Sequence, residues 1–159
     1  MKHVTLLFLQ REGEVLLAMK KRGFGEGKWN GVGGKLEPRE TPMQAAIREC
    51  EEEIGVTPHD LRKMCELDFY LTYDPDFNHF AHIFTTNTWD REPHETEEMR
   101  PQWFKYNAIP YNQMWGDDKF WLPELLAGKR FRGTYTLDAD DIVVHSQTNT
   151  VNEEEDFTT

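Results

Sequence analysis

Apolar and polar positions alternate early in the chain. Val4–Leu9 and Val15–Met19 are short apolar runs separated by Gln10-Arg11-Glu12-Gly13-Glu14, which predicts two strands joined by a glycine-containing hairpin. Glycines at 23, 25, 27, 31, 33 and 34 then interrupt any periodicity. That stretch is a poor helix or regular strand, and its backbone can approach a ligand closely. From Thr41 the period changes to a helical one. Met43, Ala46, Ile47, Cys50 and Ile54 form an apolar stripe, Pro42 suits the first helical position, and Thr41 with Gln44 makes a capping box. Gly55 supplies the stop. Leu61–Tyr73 and Phe80–Trp89 predict two longer strands around the turn-rich 74–78 segment. Gln102–Lys105 predicts another strand. A second helix is expected over Lys119–Ala127, ending at Gly128, and closing strands over Phe131–Leu137 and Ile142–His145. Strands outnumber helices and mix hairpins with crossovers, so an α/β fold with a mixed sheet and packed helices follows. The pattern predicts one domain over residues 1–151 and an acidic, frayed tail over 152–159.

Composition narrows the function. A chain of 159 residues with 38% hydrophobic and 13% aromatic content supports one core. No apolar run reaches the roughly 18 residues of a membrane span, and the first strand lacks a leader's cleavage site. A cytoplasmic monomer is the expectation. Cys50 and Cys65 form no CxxC pair and read as reduced, buried thiols. His79 and His82, three apart in a strand, face opposite ways and predict no zinc site. The net charge of −11 argues against a nucleic-acid surface, which needs clustered cations.

Candidate chemistry centres on the first helix. Glu49, Glu51, Glu52 and Glu53 crowd one turn, although like charges at i,i+4 work against the helix. At 100° per residue, Glu49, Glu52 and Glu53 share an arc of about 100° beside the apolar stripe, and Glu51 points elsewhere. Three oxygen donors on one edge suit a hard dication. A solvated acidic face is the alternative when the helix is read alone.

Gly34, Glu40, Arg48, Glu49, Glu52, Glu53 and Gly55, with Val56 after them, fit the pattern Gly-x5-Glu-x7-Arg-Glu-U-x-Glu-Glu-x-Gly-U. At ordinary residue usage these identities arise by chance roughly once in 10⁸ to 10⁹ starts. This segment resembles the signature of the Nudix hydrolases, with Cys50 in place of a bulky aliphatic residue. The resemblance implies an α/β/α sandwich and catalysis on a phosphate chain by Mg²⁺, with Mn²⁺ as a substitute. It implies Glu49, Glu52, Glu53 and Glu98 as metal ligands with the Gly33 carbonyl. Glu52 or Glu53 would handle the attacking water, and Arg48 and Glu40 would pair structurally.

A finer resemblance runs from Thr5 to about Phe131. Lys20-Lys21-Arg22-Gly23-Phe24-Gly25, Trp29-Asn30-Gly31, Glu98-Met99-Arg100-Pro101 and Met114-Trp115 with Asp117-Asp118 and Trp121 are similar to the oxidised-purine nucleoside triphosphatases of that family. It implies hydrolysis of 8-oxo-dGTP and 2-hydroxy-dATP to monophosphate and pyrophosphate. Asn30, Asp117 and Asp118 would read the base, while Thr5, Lys20, Phe24, Phe69, Met99, Trp115 and Trp121 would line its pocket. Other substrates of the family (dGTP, ADP-ribose, a dinucleotide polyphosphate) or nucleotide binding without cleavage stay open. So do blander roles: Asp117 or Asp118 as the second helix's N-cap, the aromatic residues as core, Lys21 and Arg22 as a solvated turn, Glu98 as a surface glutamate. Gly116 replaces the proline usual before the Asp pair, a change expected to loosen that loop.

Overall fold

The structure is a computed structural model that describes residues 1–153 and Phe157. Among the described residues, ten strands and two α-helices follow in the order β1 (Lys2–Arg11), β2 (Glu14–Lys20), β3 (Trp29–Asn30), α1 (Pro42–Ile54), β4 (Thr57–His59), β5 (Arg62–Leu71), β6 (His79–Thr86), β7 (Thr88–Asp90), β8 (Met99–Lys105), α2 (Asp118–Leu126), β9 (Phe131–Leu137) and β10 (Val143–Thr150). The main sheet has the order β10-β9-β5-β6-β1-β2-β3, with β8 paired to β2. It is mixed, since β1 runs parallel to β6 and β5 parallel to β9. Among the described residues no helix is long and apolar enough to cross a membrane.

Alternation along the strands sends side chains into two cores. Leu7 and Leu9 of β1 and Leu16 and Ala18 of β2 pack with Ala46, Cys50 and Ile54 of α1. Phe8, Val15 and Leu17 belong to the other core, with Trp121, Leu122 and Leu125 of α2. Burying each apolar set stabilises its own helix against the common sheet, so the two helices sandwich it.

Helix α1 matches its sequence signals. Thr41 Oγ1 accepts from Gln44 N at 3.2 Å, Gln44 Oε1 accepts from Thr41 N at 3.0 Å, and Gly55 takes the left-handed conformation at φ 72°. Elsewhere the boundaries shift. The strand expected over Phe80–Trp89 breaks at Asn87: β6 stays in the main sheet, while β7 pairs with the short strand β4, which sequence reading did not find. Strand β10 continues to Thr150, past His145, because β9 offers it a partner over its full length. Most of the tail expected to be frayed lies outside the described residues. Phe157 is buried, with the cationic groups of Lys63, Arg130 and Arg132 about its ring.

The feature that places the site is a substitution of partners along β1. Strand β2 is in register with β1 only near the hairpin, at Gln10–Val15 and Arg11–Glu14. Past that point, residues 32–35 lie beside β1 instead. Leu7 N donates to Val32 O at 2.6 Å, Val32 N to Leu7 O at 3.0 Å, and Thr5 N to Gly34 O at 2.9 Å. A Cβ at Gly33 would fall inside the carbonyl oxygen of Thr5, and one at Gly31 would press on the Phe8 ring. Gly33→Ala is therefore expected to cost about 2–3 kcal/mol through forced displacement of backbone. A thermal melt should show Tm lower by about 5–10 °C.

Candidate active site

The 31–34 strip separates two groups of functional side chains. On its α1 side, Arg48 organises the carboxylates. Its Nε and Nη2 donate to Glu40 Oε2 and Oε1 at 2.7 and 2.8 Å, and Nη2 also donates to Lys35 O at 3.1 Å. The bidentate pair ties the 35–40 loop to α1 and holds the Glu40 carboxyl down at about 2. Nη1 donates to Glu49 Oε1 at 3.0 Å and to Glu52 Oε2 at 3.2 Å. The pairing expected of Arg48 and Glu40 is therefore present, and Arg48 also offsets the charge of the cluster.

Glu53 and Glu49 are the half-buried members of the acidic set. Burial, then the charge of Glu49, raise the Glu53 carboxyl well above the ordinary carboxylate range. Its Oε2 accepts from Gly33 N at 3.3 Å. The Glu49 carboxylate lies against Gly34, where a Cβ would meet Oε1 at 2.6 Å. Glu49 and Glu53 are thus brought together at the strip, whereas Glu52 is largely exposed. Glu98 is not gathered with them. It is half-exposed and engages Arg22, whose Nε donates to Glu98 Oε1 at 3.1 Å. Its loop is nonetheless docked on α1, through Thr96 Oγ1 to Glu53 O at 2.8 Å and His94 N to Ile54 O at 3.0 Å. Among the described residues no three acidic, His or Cys side chains form a ready metal cage. The donor chemistry still fits a hard dication: two carboxylates are pressed together beside a backbone that leaves room only for glycine, and added positive charge there would relieve their repulsion.

On the other side of the strip lies a cavity of about 330 Å³. Every residue expected to line the pocket is on its wall: Thr5, Lys20, Phe24, Asn30, Phe69, Met99, Trp115, Asp117, Asp118 and Trp121. So are Gly33 and Gly34, which connect the cavity to the carboxylates. Asn30 Oδ1 accepts from Gly31 N at 2.8 Å, which leaves its NH₂ and a second lone pair of Oδ1 for a ligand. Trp115 stacks on Phe24 at 5.1 Å, and Phe24 on Phe77 at 4.8 Å. Phe77 and Lys28, also on the wall, were not found by sequence reading. Phe77 sits in a turn that only the fold brings across the pocket, and Lys28 looked like one more charge in a glycine-rich loop.

The Asp pair is the cavity's most unusual feature. Asp117 and Asp118 are 5% and 2% exposed. Capping does not explain them: Asp117 makes no side-chain cap hydrogen bond. Its Oδ2 instead accepts from Trp121 Nε1 at 2.6 Å. Asp118 Oδ2 is buried with no hydrogen-bond partner, as is Thr5 Oγ1. Burial raises the Asp117 carboxyl against the lowering effect of Trp121, and burial followed by the charge of Asp117 raises that of Asp118. An unpaired buried carboxyl carries a real free-energy penalty, which a ligand's polar edge would remove.

The NUDIX domain matches residues 1–125. The chain is 44% identical over 150 residues to the oxidized purine nucleoside triphosphate hydrolase of Danio rerio, covering 94% of this chain and 96% of that one. It is 41% identical over 140 residues to the enzyme of the same name from Mus musculus, covering 88% and 89%. Among solved structures, a MutT protein from Bacillus halodurans superposes with a TM-score of 0.82 over 94% of this chain and 98% of that one, at 22% identity, a likeness of fold alone.

The raised Asp118 carboxyl makes stability depend on pH. Above about pH 4 an unfolded chain has released this proton and the folded chain retains it. Stability therefore falls as pH rises from there through the folded-state value. Asp118→Asn is expected to flatten that fall, which melts of both proteins at pH 5 and pH 8 would measure.

Proposed function

This chain belongs to the Nudix family, and from that premise we propose that it hydrolyses oxidised purine nucleoside triphosphates, 8-oxo-dGTP and 2-hydroxy-dATP among them, to the monophosphate and pyrophosphate with Mg²⁺. The observation that carries the base assignment is the buried Asp117–Asp118 pair with its orphaned oxygen. Two adjacent carboxyls sharing one proton present both a donor and an acceptor. With the Asn30 amide they can match more than one oxidised purine edge, and Trp115 and Phe24 offer faces on which a base can stack. The identity to the zebrafish and mouse hydrolases over nearly their whole lengths supports the same reading.

The triphosphate would run from the cavity past Gly33 and Gly34 toward Glu49 and Glu53. Nudix hydrolases generally use a divalent metal, and here Glu49, Glu52 and Glu53 would hold it, with the Gly33 carbonyl and, once released from Arg22, Glu98. When bound, such an ion neutralises phosphate oxygens and lowers the pKa of the attacking water. Glu52 or Glu53 orients that water or takes its proton, and Lys20 on the cavity wall offsets phosphate charge. A cation at this place also reconciles a net charge of −11 with an anionic substrate. The chemistry is that of a free nucleotide in the cytoplasm, acted on by a monomer without nucleic acid or membrane.

Glu53→Gln is expected to lower kcat by about a hundredfold or more with the far-UV spectrum unchanged, as befits a group acting on the reacting water. Wild-type turnover in that variant refutes the metal and water assignment. Pyrophosphate release measured on 8-oxo-dGTP, 2-hydroxy-dATP, dGTP and ADP-ribose should favour the oxidised purines and stop with chelator. Equal kcat/KM for 8-oxo-dGTP and dGTP removes the oxidised-base reading while leaving the hydrolase.

A further inference from the structure

Three segments remote in sequence meet at the outer rim of the cavity: residues 25–28, 115–118 and the turn between β9 and β10. That turn is built around Asp138. Its Oδ1 accepts from Asp140 N at 2.9 Å and Ile142 N at 3.1 Å, and its carbonyl accepts from Asp141 N at 3.0 Å. The turn places Asp141 in the left-handed region at φ 61°. Asp141 Oδ2 then accepts from Gly116 N at 2.9 Å and lies 3.7 Å from Lys28 Nζ. The Lys28 ammonium in turn sits 4.8 Å from the centroid of the Trp115 ring.

Gly116 permits this contact twice over. A Cβ there would fall inside the Asp141 carbonyl oxygen, and proline would lack the donated N–H. Glycine was expected to loosen the loop; instead its amide is tied to a carboxylate and its bare Cα lets the β9–β10 turn close on it. On one side of this anchor stands Trp115, with Asp117 and Asp118 on the other, and Asp118 N returns to Trp115 O at 3.1 Å.

We propose that Asp141 is a positioning residue for base recognition, holding the Trp115–Asp118 loop through the Gly116 amide and sharing Lys28 with the Trp115 ring. It touches no base itself. The carboxylate also adds negative charge beside Asp117 and Asp118, which favours retention of a proton there, opposed by Lys28 at Asp118. The inference rests on the reading that this loop faces the purine.

The clearest variant is Asp141→Gly, because glycine takes φ 61° without strain and removes only the carboxylate. Asp141→Asn keeps an oxygen acceptor for Gly116 N. For D141G, KM for 8-oxo-dGTP should rise about five- to tenfold, the net worth of about one hydrogen bond acting through the loop. Its kcat should stay within about twofold of wild type, and the preference over dGTP should shrink. D141N should recover most of the lost KM, since the partly exposed Lys28 pair contributes little. A merely structural role would instead lower Tm and the active fraction for both substrates, leaving KM and the preference unchanged; that result overturns the proposal. Trp115→Ala separates the two levels of inference. If it raises KM while D141G does not, the clamp fails and the pocket stands. If neither changes KM, the loop does not face the base and both fail.

Discussion

Four residues of backbone, 31–34, run beside β1 in the place that β2 vacates, and almost everything functional is measured from them. Their amides and carbonyls are paired with Thr5 and Leu7 at 2.6–3.0 Å, so the strip cannot slide. One side of it receives Glu49 and Glu53 from α1; the other opens on the cavity below α2. Glycine at 31, 33 and 34 lets carboxylate, phenyl ring and backbone approach to distances that a methyl group would forbid. A substrate with a base in the cavity and phosphates at α1 would have to cross this strip. One short strip therefore borders both the carboxylates and the cavity.

Electrostatics sets the second constraint. The acidic edge of α1 is held in a folded chain by a single guanidinium that reaches Glu40, Glu49 and Glu52 together. Lysine has no planar fork with which to replace it. Glu53 lies outside that guanidinium's reach, and burial followed by the charge of Glu49 raises its carboxyl. In the cavity the same physics recurs with Asp117 and Asp118, where the compensating donor to Asp117 is an indole N–H. Both are pairs of carboxyl groups, each with at least one member raised toward its neutral form, kept together by a fold whose stability comes from apolar cores elsewhere.

Local signals make α1 legible in the sequence: Thr41, Pro42, Gln44 and Gly55 specify its ends, and the apolar stripe its face. The pocket lining followed from a resemblance in residue identity and spacing, and its residues do converge on one cavity. What the sequence hid depends on contacts across the chain. Nothing near Asn87 announces that β7 leaves the main sheet to join β4. Glu98 was expected among the metal ligands, but its neighbour Arg22 is determined by how two loops dock. The contact of Gly116 was hidden because its partner, Asp141, lies 25 residues away. Phe77 and Lys28 were invisible for the same reason.

The two cysteines matter in a different way once the proposed substrates are considered. Oxidants that damage purines also attack thiolates, converting them to sulfenic and higher acids. Cys50 is fully buried on the core face of α1, where burial and then the charges of Glu53 and Glu51 push its thiol up to about 12. Cys65 is buried in the other core and likewise raised by desolvation. Neither offers the nucleophilic anion that peroxide requires. Buried and protonated, both thiols are thus shielded from the oxidants that would generate the proposed substrates.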